Sequence, residues 1–414
     1  MKALCFDRDL ARILAAQVAG RVSRRAALGR LSPVRYGDVP EPRLPGPRWV
    51  KVRTRACGLC GTDLHLLLMD IDPLAFTSAL PGLERKYLGH EVVGEVVDVG
   101  EEARDPAPGP DGRAAAGFAP GDRVALRIDY PSCFQMEIDP PCRQCRDGSY
   151  GICENAGIRP LPRDVGGGFS PFMVAHRTQL FHVPDHVPRD RDVLLEPTAA
   201  AAHAVLKRPP QPGERVLVIG AGSIGLLTLA VVRSVAPRAD VHCLVRHAFQ
   251  GTAAAAMGAS VHREGAGVYA ARAAATGARL VRAPFRNRIL LGGFDIVIDT
   301  VGSDRTLSDA FRWTRARGCV VLLGANFRPG KLDYTPVWHQ ELEVIGVDSH
   351  GTEADGRTSF DHAAALLADP AFSVDGLITH RFPMDRYREA IDVFLAKRKT
   401  RAIKIVLEHP PPGD

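Results

Sequence analysis

No stretch of the 414-residue sequence approaches the roughly 20 consecutive apolar residues that cross a bilayer, which excludes a chain built on membrane-spanning helices. Internal repeats and low-complexity tracts are missing as well. The 32 prolines and 40 glycines are spread along the chain, so neither a solenoid nor a disordered tail is indicated. A dense basic stripe is also lacking: the net charge of +6 is a mild excess that suits an anionic cofactor or substrate, and the dispersed Lys and Arg residues form no nucleic-acid groove. One segment, residues 10–31, imitates a targeting helix, being apolar and arginine-rich. Arg21, Arg24 and Arg25 interrupt it, a strand-like start at residues 1–6 precedes it, and no small-residue cleavage site follows. It reads as an inserted amphipathic helix, and the chain as cytoplasmic with no membrane partner.

What is present is ordinary globular composition: 45% hydrophobic and 24% charged residues, on a length that allows two or three domains with cores of their own. Nine cysteines make an odd number, and several stand in short-spaced groups near histidine and acidic residues. In a cytosolic chain that favours metal binding over disulfides.

Texture divides the chain in three. Residues 1–186 are irregular, with short β-like runs at 49–55, 91–99 and 122–127, Pro/Gly-rich connections and most of the cysteines. Residues 187–346 alternate strands (215–219, 240–245, 294–299, 319–323) with helices (223–235, 306–316), the pattern of a parallel sheet covered on both faces. Residues 347–414 carry a helix at 385–397 and a strand at 402–407. The 10–31 helix and a Pro/Gly/Ala loop at 101–120 look like insertions.

The strand at 215–219 runs straight into Gly220-Ala221-Gly222-Ser223-Ile224-Gly225 and an apolar helix. In that context the glycines acquire roles: Gly220 for the tight turn, Gly222 for close approach of a pyrophosphate, Gly225 for helix–strand packing. The helix N-terminus offers its free N–H groups, Ser223 and Ile224 among them, to the phosphates. The second strand ends in Arg246-His247, where an NAD-preferring site has a carboxylate for the ribose hydroxyls. An arginine there pairs with a 2′-phosphate, so NADP(H) is expected in preference to NAD(H). Gly302 and Gly324, at the ends of later strands, are expected near the nicotinamide half.

The densest chemical segment is Cys57-Gly58-Leu59-Cys60-Gly61-Thr62-Asp63-Leu64-His65, followed by Gly89-His90-Glu91 and, far downstream, Glu196-Pro197-Thr198. A catalytic zinc takes three ligands from Cys, His and Asp/Glu and keeps one position open. These motifs, C-G-T-D, G-H-E and E-P-T, followed by the glycine fingerprint, resemble the zinc-containing medium-chain dehydrogenase/reductase (alcohol dehydrogenase) family over nearly the whole chain.

The resemblance implies an α/β protein, a Rossmann doubly wound parallel sheet (187–346) inserted in a mostly-β GroES-like catalytic domain (1–186 with 347–414). It makes Cys60, His90 and Glu196 the catalytic zinc ligands, glutamate in third place as in the sorbitol, threonine and glucose dehydrogenase branch. Glu91 would stand beside the metal and exchange with water, while Cys57 matches no ligand and reads as a buried thiol. Thr62 would take the alcohol proton, His65 pass it outward, and Asp63 orient His90. Cys142, Cys145 and Cys153 resemble the structural zinc lobe of that family. Asp139 occupies the place of its first cysteine, so either Cys133, the expected fourth ligand because thiolate is commoner in such sites, or Asp139 completes it, unless the lobe is metal-free.

The implied activity is hydride transfer between NAD(P) and a secondary alcohol or ketone of the polyol, sugar or amino-alcohol type, in a homo-oligomer acting on a small molecule. Two alternatives remain: a biosynthetic NADPH-dependent reductase of C=N or C=C bonds, which would tolerate loss of Thr62, and a catalytically silent cofactor-binding scaffold. The intact Cys60–Thr62–His90–Glu196 set speaks against the second. Substrate-contacting residues are expected on loops such as 69–86.

Overall fold

The structure, a computed structural model, describes residues 1–7, 9–23, 28–29, 32–72, 87–108, 114–127, 131–265, 267–282, 284 and 288–410. The irregular N-terminal part contains β1 (Lys2–Phe6), α1 (Leu10–Val22), β2 (Val34–Asp38), β3 (Trp49–Gly58), α2 (Gly61–Leu67) and β4 (Glu91–Val99). It continues with β5 (Ala107–Pro108), β6 (Ala114–Ala115), β7 (Arg123–Leu126), α3 (Arg143–Arg146), β8 (Phe172–His176) and β9 (Leu180–His182).

The alternating part follows: α4 (Leu195–Lys207), β10 (Arg215–Ile219), α5 (Ser223–Val235), β11 (Asp240–Val245), α6 (Ala248–Ala256), β12 (Ser260–Arg263), α7 (Val268–Thr276), β13 (Arg279–Arg282) and β14 (Arg288–Leu291). Next come β15 (Phe294–Asp299), α8 (Asp304–Trp313), β16 (Thr314–Leu322), α9 (Thr335–His339) and β17 (Glu343–Gly346). The chain closes with α10 (Ser359–Ala368), β18 (Ile378–Pro383), α11 (Tyr387–Leu395), α12 (Lys397–Thr400) and β19 (Lys404–Glu408).

The six-stranded sheet has the order β12-β11-β10-β15-β16-β17, every pair parallel. This is the doubly wound arrangement in which the sequence order reverses between β10 and β15, opening a crevice at the carboxyl ends of the strands. Its central strands are continuous apolar runs because helices cover both faces: Val216–Val218, Ile296–Ile298 and Val320–Val321 are fully buried. The second sheet is β18-β19-β3-β4-β7-β9, with β8 on β3. It joins strands from both ends of the chain, because β19 lies antiparallel to β3 with Val406 opposite Gly58.

Several boundaries differ from those expected. The first inserted helix stops at Val22, where Ser23 turns extended (φ −154°), and the rest of the expected helix, residues 24–27, 30 and 31, lies outside the described residues. Asp9 caps α1 by accepting from the Ala11 and Arg12 N–H groups, and Gln17 donates to the Ile71 carbonyl at 2.7 Å. The helix predicted to reach residue 316 ends at Trp313, since Thr314 is already extended and opens β16. The helix predicted over 385–397 is broken into a 3-10 turn at Met384–Arg386, then α11 and α12. An antiparallel hairpin, β13 with β14, precedes β15 and was not foreseen.

Arg272 of α7 is wholly buried under this hairpin. Its guanidinium lies 4.1 Å from the Trp313 ring and donates to the Val268 carbonyl, while Nε and Nη2 find no acceptor among the described residues. Burial lowers its pKa to about 10. A buried cation with unmade hydrogen bonds costs more than its cation–π contact returns, so Arg272→Met is expected to stabilise the fold by about 1 kcal/mol. A denaturant midpoint checks this; a fall in midpoint would show the cation to be net stabilising.

Candidate metal centre and nucleotide crevice

The metal centre grows out of the joint between β3 and α2. Cys60, two residues past the end of the strand, caps the helix, and its N–H donates to the Asp63 carboxylate at 3.1 Å. The same carboxylate, fully buried, accepts the Gly89 N–H at 3.2 Å and stands 3.6 Å from His90 Nδ1. Asp63 therefore ties the Cys60 turn to the His90 turn. Gly89 (φ +85°) makes the second turn possible, since a Cβ there would lie 2.9 Å from Cys57 Sγ and from Phe169.

The ligand atoms of Cys60, His90 and Glu91 lie within 4.8 Å of one another. Burial alone would depress His90, but Asp63 and Cys60 together raise its pKa well above the ordinary histidine value. A thiolate, an imidazole turned by a carboxylate and a buried carboxylate form a donor set that fits zinc. Glu196 is not in this cluster. It stands in the first turn of α4, close enough to help hold the Lys404 ammonium charged. Cys57 is completely buried, and its thiol is pushed up by burial, then by Asp63 and Glu91.

Sequence reading missed Lys404. It opens β19, is 1% exposed and pairs with Glu91. Gly58 lies opposite Glu91 on β3, and a Cβ at Gly58 would come 1.8 Å from Glu91 Oε2 and 2.7 Å from Lys404 Cε. The bare Gly58 thus provides the room in which lysine and glutamate meet. One sign was readable: a lysine inside the otherwise apolar run 402–407.

Thr62 Oγ1 is 3.9 Å from Cys60 Sγ. His65, one turn on, bonds through Nδ1 to the Asp70 carbonyl at 3.2 Å and packs edge-on against Phe327. Among the described residues no hydrogen bond joins Thr62 to His65. Of the loop predicted to contact substrate, residues 73–86 lie outside the described residues.

The cysteine lobe brings together Cys133, Cys142, Cys145 and Cys153, with all sulfurs within 4.8 Å; Asp139 is not among them. Cys153 Sγ is 3.7 Å from Cys133 Sγ and 4.0 Å from Cys142 Sγ. A tetrahedral ion about 2.3 Å from each of four sulfurs needs them about 3.8 Å apart, so the spacing fits zinc and is far too long for a disulfide. Backbone N–H groups of Cys133, Cys142 and Cys145 point at sulfurs of Cys145, Cys133 and Cys142. Against burial, the N–H groups of Cys145 and Glu154 draw the Cys142 thiol down to about 7.

In the crevice, Gly220 adopts φ +97° directly after β10, and Gly222 caps α5 with nothing within 4 Å of where a Cβ would stand. Gly225 touches the turn itself, since a Cβ there would lie 2.0 Å from the Gly220 oxygen. Ser223 is turned away from the open side, its hydroxyl donating to the Ile403 carbonyl at 2.9 Å. Gly302 (φ +72°) and Gly324 pack back to back, each excluding a side chain on the other. Arg246 follows β11 and pairs with Glu264 at 3.4 Å.

Fold and site define a nicotinamide-dependent oxidoreductase of alcohol dehydrogenase type. Profiles of the "Alcohol dehydrogenase GroES-like domain" and the "Glucose dehydrogenase C-terminus" match residues 46–185 and 189–408. The chain belongs to the zinc-containing medium-chain dehydrogenase/reductase family. It is 27% identical to an L-threonine 3-dehydrogenase of Paraburkholderia xenovorans (strain LB400), over 91% of this chain and 97% of that one. Among solved structures it resembles a zinc-binding dehydrogenase from Sinorhizobium meliloti 1021 bound to NADP, with 28% identity, TM-score 0.64, and 91% and 95% of the two chains covered. The 2R,3R-butanediol dehydrogenase of Bacillus subtilis shares the fold at 23% identity, TM-score 0.70, over 99% of both chains. Among the described residues no helix is long and apolar enough to cross a membrane.

Proposed function

We propose that the protein is a zinc-dependent dehydrogenase passing hydride between NADP(H) and a secondary alcohol or ketone of the polyol, sugar or amino-alcohol class. The observation that carries this is the convergence of Cys60, His90 and Glu91, with Thr62 Oγ1 3.9 Å from the Cys60 sulfur. Cys60 and His90 would be fixed ligands and Glu196 or Glu91 the third, leaving one position open for the substrate oxygen. Bound zinc supplies Lewis acidity to the substrate oxygen. Thr62 accepts the proton from that oxygen by hydrogen bond. Its onward passage to His65 needs a bridging hydroxyl or water, because the two side chains do not bond directly. Asp63 holds His90 in the tautomer that leaves its other nitrogen for the metal.

We take residues 1–186 with 347–414 as the catalytic domain and 187–346 as the nucleotide domain. The Gly220–Gly225 turn receives the pyrophosphate, Arg246 the 2′-phosphate, and the Gly302 and Gly324 loops lie toward the nicotinamide. The four-cysteine lobe holds a structural zinc.

Metal analysis beside nucleotide titration tests this reading. About two zinc ions per chain are expected, about one in Cys60→Ser and in Cys145→Ser, with NADPH bound more tightly than NADH. A wild-type protein without zinc after metal-replete purification would overturn the reading.

The chain is also proposed to be a homo-oligomer. Tyr334 and Trp338, at the helix that precedes the edge strand β17, are 69% and 64% exposed, and Val344 of that strand is also exposed. Exposed apolar side chains together with an open strand edge suit a two-fold contact between copies. Trp338→Glu is expected to convert the oligomer to monomer in sedimentation velocity; an unchanged oligomer would place the interface elsewhere.

A further inference from the structure

The parallel strands β10, β11, β12 and β15 end on one edge of the sheet, so the residues just past them gather around the adenosine end of the crevice. Register puts Val245 beside Arg263, and therefore Arg246 beside Glu264. From the opposite side of the crevice, past β15, Arg305 in the first turn of α8 reaches across to the same carboxylate. Arg305 Nη2 is 2.9 Å and Arg246 Nε 3.4 Å from Glu264 Oε2.

We propose that Arg305 is a specificity-determining residue for the cofactor, closing a two-arginine clamp with Arg246 on the 2′-phosphate, with Glu264 as the brace that holds the arms together. The proposal rests on the NADP reading above and adds a residue from the far side of the crevice.

Three features support it. Both arginine side chains stay more than 60% exposed while held, at 61% and 63%, so N–H groups not used on the carboxylate remain accessible to a ligand. The trio carries one net positive charge, because Glu264, despite burial that would raise its pKa, is drawn down by Arg305 and Arg246 and stays ionised. Further positive charge lies near: burial, then the charges of Lys397, Arg246 and Arg398, lower the pKa of His247, the residue following Arg246. A phosphate dianion here would meet Arg246 from one side and Arg305 from the other, whereas the free 2′-hydroxyl of NADH would gain only a neutral contact.

The test measures dissociation constants of NADPH and NADH, together with adenosine 2′-monophosphate and adenosine 5′-monophosphate, on wild type, Arg246→Ala, Arg305→Ala and Arg305→Lys. Arg305→Ala is expected to weaken NADPH and the 2′-monophosphate about 10- to 100-fold while leaving NADH and the 5′-monophosphate within about twofold. Lysine should restore part of the loss, as a point charge without the planar fork. Equal weakening of both dinucleotides, or none of NADPH, would overturn the clamp. If Arg246→Ala lowers NADPH affinity and Arg305→Ala does not, the NADP reading stands and only the role of Arg305 falls. If the wild type binds NADH more tightly, the NADP reading fails first and the clamp with it. The exposure of Arg305 makes misfolding a poor explanation for any loss, and an unchanged circular dichroism spectrum checks that.

Discussion

Lys404→Met is expected to destabilise the protein by about 3–5 kcal/mol, because it strands the Glu91 carboxylate, 2% exposed, without its cation. Against burial, Glu91 and then Cys60 raise the lysine pKa, so the ammonium stays charged. Removing one partner of such a pair costs far more than removing both, since the desolvated charge that remains has nowhere to go. The double variant Lys404→Met with Glu91→Gln should therefore recover most of the loss. Denaturant unfolding of zinc-free protein measures the pair without contribution from metal. A single variant as stable as wild type would mean that Glu91 is solvated or protonated there.

The second large effect is expected at the metal. His90→Ala should lower kcat/KM about 1000-fold or more and remove about one zinc per chain, because the Lewis acid contributes several kcal/mol to the charge developing on the substrate oxygen. Asp63→Asn should fall between this variant and wild type, at about 10- to 100-fold, since it loosens His90 and the Cys60 turn without deleting a ligand. Zinc content read beside the rates separates the two: Asp63→Asn should hold its zinc more weakly while still reaching wild-type occupancy in excess metal. Full zinc occupancy in His90→Ala would show that the metal lies elsewhere.

These expectations draw unevenly on the sequence. The nucleotide turn was legible because its parts are contiguous: an apolar strand, three spaced glycines and an apolar helix leave few other folds for residues 215–235. The helix predicted through residue 316 failed at Thr314 because only the partner strand β15 shows that this β-branched residue begins a strand. The break between α11 and α12 was hidden for a similar reason, since Ala396 and its basic neighbours carry no helix-stopping signal.

At the metal, Cys60 and His90 announce themselves by motif. Lys404 belongs to the far end of the chain, and its meeting with Glu91 depends on β19 pairing with β3 beside β4. Cys133 was ambiguous on spacing alone, because only the folded loop shows its sulfur, and not the Asp139 carboxylate, among the other three. Arg305 and Glu264 follow different strands, and only their common edge brings them together.

Deuteride transfer tests the central claim most directly. Zinc-replete protein is incubated with NADPH deuterated at nicotinamide C4 and a panel of polar ketones, and the products are analysed by mass spectrometry. Deuterium is expected on the carbinol carbon of at least one product with wild type, and almost none with His90→Ala. NADPH binding by fully zinc-loaded wild type without label in any alcohol, or equal labelling by His90→Ala, would contradict it.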